Sequence, residues 1–163
     1  KTLHLGARMH GRGVIHALDA DPRRLAELQR RAARAGLRNV RCATADPATL
    51  RQLAGRADRL LIDAPCSGLG TLKRQPDLKW RLTPDYLAHL QHTQQQILQH
   101  HPGLLRPGGR LIYATSSILP SENREAVTPL LTNPSLERLA EHHVSPATTG
   151  FDGFHGMEIG AKS

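Results

Sequence analysis

Short apolar strands that end at an aspartate and are followed by helices constrain this chain more than any other feature. Val14-Ile15-His16-Ala17-Leu18 reads as a strand, and Asp19 follows it at once. Asp21 then caps a helix with Pro22 at its first position, and Leu25, Leu28, Ala32 and Ala35 recur on one face until Gly36 ends it. The unit repeats: residues 40–43 form a short strand, 48–54 a short helix, and 59–63 a buried strand ending in Asp63. Such alternation predicts an α/β fold with a mainly parallel sheet and helices on both faces.

A long irregular loop is expected from Ala64 to about Leu82, after which Thr83-Pro84 caps a helix whose inward face carries Leu87, Leu90, Ile97 and Leu98. Pro107-Gly108-Gly109 turns the chain into a strand over 110–114, and a further helix starts near Ser121 with Val127, Leu130 and Leu131. Residues 136–163 read as an antiparallel pair of strands around a glycine-rich bend. At 163 residues the chain fits one domain with a core of its own.

In an open α/β sheet, ligands bind beyond the carboxyl ends of the strands. Asp19, Asp46 and Asp63 sit at three successive strand ends. Each alone is better explained as a helix cap or turn residue. Together they suit the hydroxyls or amine of a bound nucleoside.

Lys and Arg outnumber Asp and Glu by 22 to 14, a formal charge of +8 that favours a polyanionic partner, although an arginine-rich composition can raise charge without one. No apolar run is long enough to span a bilayer, so no membrane partner is expected. Cys42 and Cys66 lie far apart without secretory spacing, which points to a reducing cytoplasm. The pairs His100-His101 and His142-His143 lack metal-site spacing and read as solvent-facing helix termini, so no metal is expected.

The run Asp63-Ala64-Pro65-Cys66-Ser67-Gly68-Leu69-Gly70, continued by Lys73-Arg74-Gln75-Pro76-Asp77-Leu78-Lys79-Trp80, closely resembles the Nop/Sun family of S-adenosyl-L-methionine-dependent RNA methyltransferases. The similarity extends through residues 107–115, Leu119-Pro120-Ser121-Glu122-Asn123 and Phe151-Asp152-Gly153-Phe154, nearly the whole chain. Among members, it is most similar to the bacterial enzymes that methylate a cytosine of small-subunit (16S) ribosomal RNA. The resemblance implies a Rossmann-like class I methyltransferase sheet, S-adenosyl-L-methionine as cofactor and ribosomal RNA as partner. In the family, a first strand and a turn reading Ala-Pro-Gly-Gly-Lys precede the helix that starts here at Lys1. Residues 1–163 are therefore expected to be one catalytic domain lacking that strand and most of that turn. Carried across position by position, Lys1 corresponds to the turn lysine, Asp19 to the ribose-binding acid, Asp46 to the acid near the adenine and Asp63 to the acid beside the methionine end.

Carbon 5 of cytosine is a poor nucleophile, and a temporary bond at carbon 6 pushes electron density onto it. A thiolate serves well, since the ordinary cysteine pKa of about 8.5 leaves some thiolate near neutrality. The family uses two cysteines: one after Tyr-Ala-Thr attacks, and one in Asp-Ala-Pro-Cys helps release the product. The second is Cys66, whereas the first position is Ser116 in Tyr113-Ala114-Thr115-Ser116-Ser117. A serine hydroxyl without a dedicated base is barely ionised, so attack from Ser116 is expected to be crippled. Three consequences stay open: an inactive variant that still binds RNA, attack by Cys66 in the manner of the DNA cytosine-5 methyltransferases, or a noncatalytic rRNA-binding paralogue. Lost or trapped activity is preferred over a rerouted mechanism. Lys73, Arg74, Lys79 and Arg81 suit phosphate contacts, and Trp80 either stacks on a base or packs inward.

Overall fold

The computed structural model describes residues 1–162 and divides into two compact units, the first spanning Lys1–Leu53 and the second beginning at Ala54. The first unit runs α1 (Thr2–Arg8), β1 (Ile15–Asp19), α2 (Pro22–Arg34), β2 (Val40–Thr44) and α3 (Pro47–Leu53). Its two strands pair in parallel, with Ile15 opposite Val40 and Asp19 opposite Thr44. The α2 signals are obeyed locally: the Asp21 side chain accepts from the Arg23 amide at 2.9 Å, and Gly36 adopts φ +69° just beyond the helix. Leu25 and Ala32 are buried as expected, but Ala35 is exposed because it is the C-cap, already past the helical face.

The second unit contains β3 (Ala57–Asp63), α4 (Leu78–Arg81), α5 (Pro84–His100), β4 (Leu105–Thr115), α6 (Arg124–Val127), β5 (Leu136–Val144), α7 (Pro146–Thr149) and β6 (Phe154–Ala161). Its sheet has the order β3-β4-β6-β5; β3 and β4 are parallel, and β6 runs antiparallel to both β4 and β5. The architecture is thus mixed α/β, with the antiparallel tail that the sequence suggests. Ile62, Leu98, Leu111, Tyr113, Val127, Met157 and Ile159 form its core. Each such side chain contributes roughly 1.5–3 kcal/mol by leaving water. Thr83 caps α5 by accepting from the Tyr86 amide at 3.2 Å, and Leu90 and Leu98 face the core.

Several expectations need correction. Residues 59–63 are not a fully buried strand: Leu61 is 37% exposed, because β3 is the edge of its sheet. The Pro107-Gly108-Gly109 turn lies inside β4, where the pairing jumps from Ala57–Leu105 to Arg59–Arg110. Gly108 takes φ +70°, and a Cβ on Gly109 would sit 2.8 Å from the Arg106 carbonyl oxygen, so the irregularity depends on both glycines. The loop over 64–82 is not irregular throughout, since it folds a 3₁₀ turn at Leu69–Thr71 and the single-turn α4. The helix expected from Ser121 is broken into Pro120–Glu122, α6 and Leu130–Thr132. Asn123, at φ −112° and ψ −108°, interrupts it so that Glu122 and Asn123 can turn inward. His142 and His143 lie on strand β5 rather than at a helix end, and the His143 ring is 6.5 Å from that of His155.

Candidate active site

The register of β3 on β4 builds the site. Asp63 pairs with Ala114, and the Ala64 amide donates to the Ala114 carbonyl at 3.0 Å. Two parallel strands that end level release their following residues side by side, so Pro65-Cys66-Ser67 and Thr115-Ser116-Ser117 leave the sheet together. The backbone amides of Gly68 and Ser116 lie close enough to the Cys66 sulfur to favour its charged form. Cys66 and Ser116 are therefore neighbours although 50 positions separate them in sequence.

Burial pushes the Cys66 thiol above its ordinary range, assisted by the negative fields of Glu122 and Asp63, while the two amides oppose the shift. At neutral pH this sulfur rests as a thiol. The half-buried Ser116 hydroxyl makes no hydrogen bond to a side chain among the described residues, so no histidine of its own unit is bonded to it as a base. Cys66 and Ser67 line a cleft of about 340 Å³ together with Leu78, Arg81, Leu82 and Tyr86. That volume lies at the small end of the range for small-molecule sites.

Behind the two loops lies a buried polar knot centred on Glu122, whose side chain is fully enclosed. Its carboxylate accepts from the Ser67 amide (2.8 Å), the Ser67 hydroxyl (2.5 Å), the Ser117 hydroxyl (2.5 Å) and the Gln94 side-chain amide (3.1 Å). Gln94 also donates to the Pro65 carbonyl at 2.8 Å, and the Tyr113 hydroxyl donates to the Glu122 carbonyl at 2.9 Å. Burial pushes the Tyr113 phenol well above its ordinary range, so it remains a donor. Thr115 hydrogen-bonds Asn123, which in turn donates to the Ser117 carbonyl at 3.0 Å. The sequence reading missed this knot. Its one local trace was Gln94 midway between Leu90 and Leu98, a polar residue at four-residue spacing on the buried stripe of α5.

Gly70 is held between the Ser116 loop and the tail, its amide donating to the Ser116 carbonyl at 2.9 Å and its carbonyl accepting from the Gly153 amide at 2.7 Å. A Cβ on Gly70 would lie 2.7 Å from the Ser116 carbonyl oxygen, so only glycine fits. Beyond it the basic loop divides. Arg74 pairs with Asp152 through two nitrogens, at 2.6 and 2.5 Å, and Lys73 donates to the Gly150 carbonyl at 3.2 Å. Arg81 pairs with Asp77 at 3.1 Å on the surface. Trp80 is 80% exposed, with the Lys79 ammonium 4.9 Å from its ring centre, which removes the inward-packed alternative.

In the first unit, Lys1 is the exposed N-cap residue of α1. Asp19 accepts from the Asp21 amide at 2.8 Å and lies 3.8 Å from Arg24. Asp46 caps α3, accepting from the Thr49 amide at 2.8 Å and from the Thr44 hydroxyl at 2.6 Å. The Thr44 bond and then that amide hold its carboxyl below the usual range. Asp46 thus is a helix cap. A carboxylate has further lone pairs, so capping leaves room for a ligand. Asp63 occupies the equivalent strand end in the second unit.

Comparison with known proteins follows the same lines. Residues 1–157 match the family model described as 16S rRNA methyltransferase RsmB/F. Ribosomal RNA small subunit methyltransferase B of Klebsiella pneumoniae subsp. pneumoniae is 35% identical over an alignment covering 98% of this chain and 37% of that protein. A methyltransferase homologue from Pyrococcus horikoshii superposes with a TM-score of 0.81 at 28% identity, over 97% of this chain and 56% of the other. NSun6 from P. horikoshii, solved with SFG, gives a TM-score of 0.87 at 23% identity, over 99% of this chain and 45% of the other, a likeness of fold. The fold is accordingly Rossmann-like, and the chain spans well under half the length of the Klebsiella relative.

Proposed function

The chain belongs to the 16S rRNA methyltransferase RsmB/F family, and from that premise we propose that it acts in methylating carbon 5 of a cytosine in small-subunit ribosomal RNA. The observation that carries this reading is the Cys66–Ser116 pair, brought to one place by the level ends of β3 and β4 beside a cleft. Methylation at a poorly nucleophilic ring carbon calls for a covalent bond at the adjacent carbon and then its release, two tasks suited to two adjacent side chains.

In this reading S-adenosyl-L-methionine supplies an electrophilic methyl group. Family resemblance assigns Asp19, Asp46 and Asp63 to it. In the first unit Asp19 and Asp46 fit in kind, being carboxylates at or just past the ends of parallel strands with lone pairs to spare for hydroxyl or amino donors, and Asp63 ends β3 in the second. Lys1 is the fourth residue assigned to that site by family resemblance. Ser116 occupies the attacking position and Cys66 the position that assists release. Exposed Lys79, Trp80 and Arg81, with Lys73 and Arg74 nearer the tail, are assigned to the RNA, with Trp80 as a stacking platform. The same reading makes the cytoplasm the compartment; among the described residues no helix is long and apolar enough to cross a membrane.

Attack from Ser116 is the weak step, because its hydroxyl lacks a base and Cys66 rests protonated. This observation favours a second reading, an rRNA-binding paralogue without catalysis. Methyl transfer from labelled S-adenosyl-L-methionine to small-subunit rRNA, measured for the chain and for Ser116→Cys, separates the two. The substitution is expected to raise the rate at least about 100-fold, equivalent to ~2.7 kcal/mol of barrier. Equal, measurable rates would overturn the assignment of Ser116. RNA binding without transfer by either form would establish the second reading.

A further inference from the structure

Glu122 has no role in the chemistry set out above, yet among the described residues it is the one side chain outside the two reaction loops that bonds to both. Toward the first loop it accepts two bonds from Ser67, the residue after Cys66. Toward the second it accepts one from Ser117, the residue after Ser116. The two serine hydroxyls are themselves 3.2 Å apart, and Gln94 ties the same carboxylate to the Pro65 carbonyl, the residue before Cys66. Ser67, Gln94, Ser117 and Glu122 are all buried, and a carboxylate enclosed in this way is costly unless its lone pairs are filled. Here four donors fill them.

We propose that Glu122 is a positioning residue of the site: its carboxylate clamps the Cys66 loop to the Ser116 loop and so fixes the separation of the two reacting side chains. The main chain alone does not set that separation. β3 and β4 fix where each loop leaves the sheet, but Cys66 lies three residues beyond Asp63 and Ser116 two beyond Ala114, outside the ladder. Beyond the last rung, among the described residues, the backbone hydrogen bond between the loops is that of the Gly70 amide to the Ser116 carbonyl, and the Ser116 amide lies near the Cys66 sulfur. The side chains of Ser67 and Ser117 converge on Glu122 between those two contacts. Proximity of reacting groups is worth several orders of magnitude in rate, and small displacements forfeit much of it. A clamp one residue from each group is therefore well placed to govern it.

The clamp is measurable without any methyl donor or RNA. Ser116→Cys places a second thiol beside Cys66, and the equilibrium between that thiol pair plus glutathione disulfide and the protein disulfide plus two glutathione molecules reports how well the pair is aligned. Cys42, on β2 in the first unit, serves as an internal reference for accessibility. In the Ser116→Cys background, Glu122→Ala is expected to lower the disulfide equilibrium constant at least about tenfold while Cys42 alkylation is unchanged. Glu122→Gln is expected to restore most of the loss, because both serine hydroxyls can rotate to accept from the new amide. An unchanged constant in Glu122→Ala would overturn the inference, as would failure of the thiol pair to oxidise with Glu122 intact. A loss that Gln does not restore would also count against it, reducing Glu122 to bulk. If Glu122→Ala does not fold, Ser117→Ala removes one arm of the clamp and leaves the carboxylate. It is expected to lower the constant about fivefold, and no change would again overturn the proposal. The inference rests on Cys66 and Ser116 being the reaction site, an assignment tested separately by methyl transfer.

Discussion

The knot around Glu122 and the loop around Trp80 both draw on the run from Asp63 to Trp80, the knot through Ser67, but they are held by opposite physics. In the knot, the polar side chains are enclosed and the four bonds to the carboxylate join segments up to 55 residues apart. Along the loop, Trp80 stands 80% exposed and its neighbours make surface pairs with near residues, such as Arg81 with Asp77. The first arrangement determines geometry. The second leaves charge and a ring face available to a partner. If that division is right, substitutions in the knot change stability and alignment, and substitutions in the loop change RNA affinity while leaving the fold alone.

Glu122→Ala is the largest expected effect. It leaves the Ser67 amide, the Gln94 amide and two hydroxyls without their buried acceptor, and opens a void among them. Some of these donors can turn to other partners, so a loss of about 3 kcal/mol is expected in urea-induced unfolding followed by circular dichroism. A loss below about 1 kcal/mol would break the comparison, because the knot would then be as dispensable as a surface contact.

Trp80→Ala tests the other side. Stability is expected to change by less than about 0.5 kcal/mol. Affinity for a single-stranded rRNA fragment is expected to fall by roughly 1–3 kcal/mol if the ring stacks on a base. Lys79→Ala, in the same fluorescence titration repeated across salt concentrations, should reduce the salt slope by about one phosphate contact. A tryptophan substitution that destabilises the fold and spares RNA binding would reverse the assignment.

How much of this was legible in the sequence follows the same division. The α2 boundaries were readable because their causes are local: Asp21 bonds an amide two residues away, and Gly36 supplies the left-handed turn. The strand ends at Asp19 and Asp63 were readable from apolar runs and loop residues. The exposed cations were readable as charge, although not their pairing, since Arg74 meets Asp152 across 78 positions. Glu122 falls in a segment whose local pattern predicts the start of a helix. Its inward turn depends on Ser67 and Gln94, which no local pattern connects to it. The β3 edge is hidden for the same reason: an apolar run does not say which strand will lie beside it. The pairing of Cys66 with Ser116 needed the β3–β4 register, which the sequence does not contain.

Cys66 lies between the two regions, preceding Ser67 of the knot in sequence and lining the cleft. Because burial raises its pKa, the thiolate fraction at neutral pH falls below that of an unhindered cysteine, whose pKa is about 8.5. Iodoacetamide modification, resolved by peptide mass spectrometry between pH 7 and 10, should show Cys66 reacting with a midpoint on the alkaline side of that value. A midpoint on the acid side would mean that the Gly68 and Ser116 amides outweigh burial, making Cys66 a credible attacking thiolate and weakening the assignment of that role to position 116.

The smallest expected effect is at Arg74, which sharpens the boundary between clamp and contact. Arg74 belongs to the basic loop by sequence, yet its guanidinium is already engaged by Asp152 through two nitrogens. It joins the loop to the β5–β6 connection close to where Gly70 meets Gly153. The pair is largely solvated, so Arg74→Ala should cost at most about 1 kcal/mol of stability. Its charge is offset by Asp152, so the salt slope for RNA should move less than in Lys79→Ala. Asp152→Ala frees the same guanidinium and is expected to tighten RNA binding slightly at low salt, with the gain vanishing as salt is raised. If instead Arg74→Ala weakens RNA binding as much as Lys79→Ala, the guanidinium exchanges Asp152 for a phosphate when RNA arrives. The loop would then be a single binding surface from residue 73 to residue 81.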